Sequence, residues 1–167
     1  YFYEDETGMF YFTSDLDPPL VARKTELNDN VIPGSNSAMG RALFELGTLS
    51  YDPELTSKSV QMLSNMNGYL VENERSDFLA SWISLYNEAV NTPYEIAIVG
   101  PEAAEKRDEM VIRFVPDALF LGGESEGSLK LLEGKLQGDE TFIYVCQNKV
   151  CKFPVRDVEA AIDLMTR

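Results

Sequence analysis

Tyr94-Glu95-Ile96-Ala97-Ile98-Val99-Gly100-Pro101 is the stretch on which the reading of this chain turns. A short run rich in β-branched residues, closed by Gly-Pro, is the pattern of a buried strand running into a turn. Everything before it reads as helical and everything after it as mixed. Toward the C-terminus, residues 103–114 read as a helix and residues 118–121 as a second strand closed by Gly122-Gly123. Residues 129–136 suit a short helix. Residues 141–146 and 150–153 are strands around a Gln147-Asn148-Lys149 turn. Residues 157–165 form a last helix carrying Val158, Ala161, Ile162 and Met165. Strand–helix–strand followed by hairpin–helix gives a small mixed sheet. The order resembles that of a thioredoxin-like fold, but no cysteine lies near Gly100-Pro101-Glu102, where such a fold would carry its redox pair.

Toward the N-terminus, three helices are expected. Ala38, Ala42, Leu43, Leu46 and Leu49 form a stripe on the first, with Asn36 or Ser37 as N-cap. The second is capped by Asp52 with Pro53 in its first turn, and carries Leu55, Val60, Met62, Leu63, Met66, Tyr69 and Leu70. The third, capped by Ser76 or Asp77, presents Phe78, Leu79, Trp82, Ile83, Tyr86 and Val90 before Pro93 stops it. Short links make these helices antiparallel neighbours. Residues 1–4 and 9–13 alternate aromatic and polar side chains around Asp5-Glu6-Thr7-Gly8, a hairpin signal. Residues 14–35, with Pro18, Pro19, Pro33 and Gly34, read as a long connection without regular structure, and such connections are commonly functional. The fold class is therefore α+β, with helical hairpins over residues 1–92 and a small α/β module over residues 93–167.

Composition narrows the function. A hydrophobic share of 44% with 11% aromatics supports a packed core. The net charge of −14 disfavours nucleic acid and anionic membranes as partners, and no apolar run is long enough to span a bilayer. The absence of histidine excludes histidine-based nucleophile activation and histidine metal sites, so acid–base chemistry would fall to carboxylates, Lys, Tyr or Cys. No cofactor is implied. Two cysteines do not make a secreted disulfide framework, and a cytoplasmic location is the default expectation. The opening Tyr1-Phe2-Tyr3 has no initiator methionine and no signal-peptide shape, which suggests a piece of a longer protein.

The densest polar set is Arg23, Lys24, Glu26, Asp29 and Asn30, followed by Pro33-Gly34-Ser35-Asn36-Ser37 at a helix start. Backbone N–H groups at a helix N-terminus suit an anion or a hydroxyl group, and a nearby aspartate could act as acid or base on a sugar. Asp29 is the catalytic candidate, with Arg23, Lys24, Asn30 and Asn36 positioning a sugar-like small molecule. The same residues would equally serve as loop turns and an N-cap. Cys146 and Cys151 stand five apart across a hairpin turn, a spacing open to a labile disulfide with a redox role, to a thiol metal site, or to two small buried hydrophobes.

Gly8-Met9-Phe10-Tyr11-Phe12, Arg23-Lys24, Asp29-Asn30, Pro33-Gly34-Ser35-Asn36-Ser37, Ile98-Val99-Gly100, Tyr144-Val145-Cys146, Cys151 and Pro154-Val155 follow one another in an order that resembles the C-terminal part of the YyaL family. That family includes the spermatogenesis-associated thioredoxin-domain proteins. The resemblance covers nearly the whole chain. It implies a parent protein with an N-terminal thioredoxin-like domain and a six-hairpin (α/α) toroid similar to glycosidases and N-acylglucosamine 2-epimerases. The hairpins here would be the last of that toroid, and the N-terminal remainder of the parent would be a partner. Taken alone, the piece would be expected to self-associate. The family's usual Pro-Ser-Gly-Asn-Ser appears with Gly34 and Ser35 exchanged, which leaves Asn36 the better-matched position. The functional expectation is carbohydrate processing, with a non-catalytic binding or scaffolding module, or a thiol redox role, as the alternatives.

Overall fold

A computed structural model describes residues 1–18, 21–73 and 75–165. Pro19 of the expected loop lies outside them. The elements, in order, are β1 (Tyr3–Glu4), β2 (Met9–Phe10), α1 (Ser35–Ser50), α2 (Pro53–Glu72), a 3-10 turn (Ser76–Leu79), α3 (Ala80–Val90), β3 (Tyr94–Val99), α4 (Ala103–Ile112), β4 (Ala118–Gly123), β5 (Phe142–Gln147), β6 (Val150–Cys151) and α5 (Val158–Met165). This is an α+β chain. Its contacts divide it into two compact units, Tyr1–Gly47 with Asp52–Val90, and Thr48–Tyr51 with Asn91–Arg167. The second unit thus begins where the sequence changes character, and also takes four residues from the end of α1 and its following turn. Among the described residues, no helix is long and apolar enough to cross a membrane.

In the first unit, β1 and β2 pair antiparallel, Tyr3 opposite Phe10 and Glu4 opposite Met9, and the two rings meet edge to face. The core is built from Met9, Phe44, Met62, Leu63, Met66, Leu79, Trp82 and Leu85. Asp52 caps α2 by accepting from Glu54 N, with Pro53 at the first position, as the sequence leads one to expect. The face that α1 buries is not the expected one. Its inward residues are Asn36, Ser37, Gly40, Phe44 and Gly47. Ala38, Ala42 and Leu46 are exposed. Gly40 explains the inversion. A Cβ there would stand 3.0 Å from the Leu85 methyl and 3.6 Å from the Trp82 ring, and the Gly40 carbonyl accepts a hydrogen bond from the buried Ser59 hydroxyl at 2.7 Å. Close approach of backbones selects small residues for the buried side, and the aliphatic stripe is left outside. Ile83, Tyr86 and Val90 on α3 are likewise exposed, so the inward face of that helix is Leu79, Trp82 and Leu85.

The second unit is a four-stranded sheet in the order β4-β3-β5-β6. β3 and β4 are parallel, whereas β5 runs antiparallel to both β3 and β6. Ile96, Ile98, Ile143 and Val145 bury one face against Ala103 and Met110 of α4 and Val158 and Ala161 of α5. Ala97, Val99, Phe142, Tyr144 and Cys146 bury the other against Leu131 and Leu132. Residues 129–136 form consecutive turns with bonds such as Leu132 N to Leu129 O rather than the expected helix. The Glu126 carboxylate holds this segment by accepting from Gly134 N and Leu136 N. Gly122 is required by contact: a Cβ would lie 1.9 Å from the Ile98 carbonyl oxygen on the neighbouring strand.

Candidate functional site

The loop before α1 has little regular structure, so its conformation depends on side-chain hydrogen bonds, and its polar residues supply them. Asp29 is 6% exposed. Its Oδ1 accepts from Gly34 N at 2.9 Å and from the Ser37 hydroxyl at 3.2 Å, and its Oδ2 accepts from Ser81 N at 2.7 Å. Its own N–H donates to Phe78 O at 2.8 Å. The carboxylate therefore sits at the N-termini of α1 and α3 together, where unpaired N–H groups and both helix dipoles favour a negative charge. Burial is the largest single influence on this carboxyl and would raise its pKa. The backbone donors of Gly34 and Ser81, with the Ser81 and Ser37 hydroxyls, outweigh it and hold the group below the usual carboxylate range.

Asn36 is fully buried and acts as a side-chain rung on the hairpin. Its Oδ1 accepts from Phe10 N at 2.7 Å, and its Nδ2 donates to Phe10 O at 2.9 Å and Glu26 O at 3.0 Å. Arg23 donates from Nη2 to Tyr1 O at 2.9 Å and Thr13 O at 2.7 Å, and its guanidinium lies 4.0 Å from the Tyr11 ring centroid. Lys24 and Asn30 are exposed; Lys24 takes part through its carbonyl, which accepts from Phe12 N, and Asn30 through its N–H, which donates to Ile32 O. The Glu26 carboxylate accepts from Ser35 N at 3.0 Å.

These contacts correct the roles expected from the sequence. Asp29 borders a shallow, open recess of about 590 Å³ with Glu26, Asn30, Tyr69 and Phe78, but both of its oxygens are engaged by protein donors. It is an internal clasp rather than a carboxylate poised to take a proton from a sugar. Asn36 lies within the first turn of α1 rather than capping it, and its amide contacts backbone on β2 and the loop. Arg23 fastens the hairpin to the loop. The structure does bring Asp29, Asn36 and Arg23 into one network, but its purpose is to hold three segments together. Trp82 is fully buried and donates its indole N–H to Leu27 O at 2.7 Å, so its ring is core rather than a sugar platform.

In the second unit, Cys146 and Cys151 are directly opposed on β5 and β6 and joined in a disulfide, with Cα atoms 3.8 Å apart. The described residues contain no group of three or more His, Cys, Asp or Glu side chains placed to hold a metal. One residue of chemical interest escaped the sequence reading. Glu95, 2% exposed, stands opposite Cys146 across the β3–β5 pair. Its Oε2 accepts from the Tyr51 hydroxyl at 3.0 Å and its Oε1 from Lys149 N at 3.3 Å. A lone carboxylate inside an otherwise apolar strand was the available signal. The Tyr51 hydroxyl is pushed well above its ordinary value, by burial first and then by the Glu95 carboxylate that accepts its proton. A separate cleft of about 230 Å³ lies between α4 and the ends of β3 and β4, lined by Ile98, Ala103, Arg107, Phe120 and Gly122.

By its elements the chain is an α+β protein with a helical unit and a mixed-sheet unit. No family model, curated protein or solved structure matches it.

Proposed function

We propose that this chain is a non-catalytic binding or scaffolding module of a YyaL-like protein. Residues 1–92 would belong to the end of an (α/α) toroid, and residues 93–167 would form a thioredoxin-like module without the usual redox pair. One observation carries the non-catalytic reading: the only carboxylate in the dense polar loop that sequence pattern nominates as acid or base, Asp29, has both oxygens engaged by Gly34, Ser37 and Ser81. A general base must reach the proton it abstracts. Two further features favour the structural assignment. The exposed stripe of Ala38, Ala42 and Leu46 on α1 is the kind of surface an adjacent hairpin would cover. The strand order β4-β3-β5-β6, with β5 antiparallel to its neighbours, suits a thioredoxin-like module.

The test is Asp29→Asn, read in two ways. Titration calorimetry with neutral sugars (glucose, N-acetylglucosamine, maltose) on the full-length protein should give the same result for variant and wild type. Stability against pH should differ. The folded Asp29 pKa lies below its unfolded value of about 3.9. Its contribution is therefore fully present above that value and lost as pH falls through the folded value. The wild type should lose stability in that acid window, and the variant should lack that part of the loss. Sugar binding by the wild type that Asp29→Asn abolishes, without a change in unfolding, would restore the carbohydrate-processing reading.

A further inference from the structure

The corner of the second unit formed by β3, β5 and β6 holds a disulfide and a buried carboxylate side by side. Glu95, Ala97 and Val99 alternate along β3 and so share one face of the sheet, and Ala97, Val99 and Cys146 pack in the same core cluster. Residues directly opposite on antiparallel strands have Cβ atoms about 4.5–5.5 Å apart, and Glu95 is the residue opposite Cys146. Cys146 in turn is opposite and bonded to Cys151. The titratable and charged groups shown against Glu95 are Tyr51, from the turn after α1, and Lys149, from the β5–β6 turn. The Lys149 amine lies 5.0 Å from the Tyr51 ring centroid.

Packing does not account for this carboxylate. It stands in a strand of Ile, Ala and Val, where an apolar residue would fill the space without the cost of burying an ionisable group. The disulfide is not a major support of the fold either. It links positions five apart in a hairpin already paired and turned, and β6 is a two-residue edge strand. Cys146 is buried, whereas Cys151 is partly exposed, so one sulfur is open to an incoming thiolate and the other faces the protein interior.

We propose that Cys146–Cys151 is a thiol–disulfide exchange site for a dithiol, with Glu95 as the proton-transfer group for Cys146. In the reducing direction, a thiolate of the dithiol attacks the Cys151 sulfur. A mixed disulfide forms, and Cys146 leaves with the electron pair of the broken S–S bond. Cys146 takes a proton through the Glu95 carboxyl, which recovers one from solvent. The second thiolate of the dithiol then attacks its own sulfur in the mixed disulfide and releases Cys151, which is protonated from solvent. Two electrons and two protons pass from the dithiol to the cysteines, and the dithiol becomes a disulfide. In the oxidising direction, Glu95 takes the proton of the Cys146 thiol, so that the thiolate can attack the mixed disulfide at Cys151. The site is independent of the scaffolding role proposed for the chain.

The experiment follows reduction of the folded 167-residue chain by dithiothreitol, by acid quench, alkylation and mass spectrometry, with rates divided by the concentration of reagent thiolate at each pH. Circular dichroism in parallel reports folding. The disulfide should open while the chain stays folded, and the divided rates should retain a pH dependence. Glu95→Gln should lower them at least about tenfold and remove that dependence, since a positioned acid or base contributes about 10²-fold or more. Tyr51→Phe should shift the dependence without abolishing it. Reduction that occurs only as the chain unfolds would overturn the proposal. So would a wild-type profile with no pH dependence left after division, a result that needs no variant to fold. A Glu95→Gln profile that superimposes on the wild type would do the same.

Discussion

The polar loop of the first unit and the β3–β5–β6 corner of the second both contain a buried carboxylate, Asp29 and Glu95, and they use it differently. Asp29 meets donors from three segments, Gly34, Ser37 and Ser81, at the start of two helices. Glu95 meets two, Tyr51 and Lys149, and stands opposite a disulfide cysteine in a strand that would be more simply apolar. A carboxylate whose oxygens are engaged at helix N-termini is stabilised as an anion and has little left to offer a substrate. A carboxylate that packing does not require, set beside a redox-active group, has a chemical use open to it. Sequence density pointed to the first; the pairing of strands pointed to the second.

The contrast breaks most readily at Asp29. Asp29→Ala leaves the Gly34 and Ser81 N–H groups without their charged acceptor, and we expect a loss of about 3 kcal/mol in denaturant unfolding, as for other buried charge-assisted bonds. A loss within ~0.5 kcal/mol would mean that the clasp is not structural and would reopen Asp29 as a functional group. A smaller effect is expected at the disulfide. Closing so short a loop contributes about 2 kcal/mol by the chain-entropy relation, so replacing Cys146 and Cys151 together by Ala should lower stability by about that amount and leave the sheet folded. Collapse of the second unit would show that the bond is structural, contrary to the exchange role. The smallest effect belongs to Lys24 and Asn30, whose side chains are exposed. Their replacement by Ala should move the unfolding midpoint by no more than ~0.5 kcal/mol in free energy. A larger shift would extend the clasp beyond Asp29, Asn36 and Arg23.

Much of the fold was legible in local pattern. The Asp52-Pro53 helix start, the Tyr94–Val99 strand, the β5–β6 turn and the final helix follow from capping chemistry, β-branched runs and turn residues, which act over a few positions. The candidate site was legible only in part. Arg23, Asp29 and Asn36 were visible as a polar cluster, but whether such residues face a ligand or one another depends on where residues 78–81 and Phe10 arrive, and no spacing within the loop encodes that.

What the sequence by itself determined is the succession of helices and strands, the α+β class, and the absence of histidine chemistry. Only the tertiary structure decided which face of α1 is buried, because the short distance between Gly40 and Leu85 outweighs the aliphatic stripe of Ala38, Ala42 and Leu46. Only it engaged Asp29 with Ser81, 52 residues away, and set Glu95 opposite Cys146, 51 positions on. The physical reason is common to all three. Amphipathic period and turn propensity are local and survive in a linear reading, whereas a buried carboxylate is defined by the donors that reach it through space.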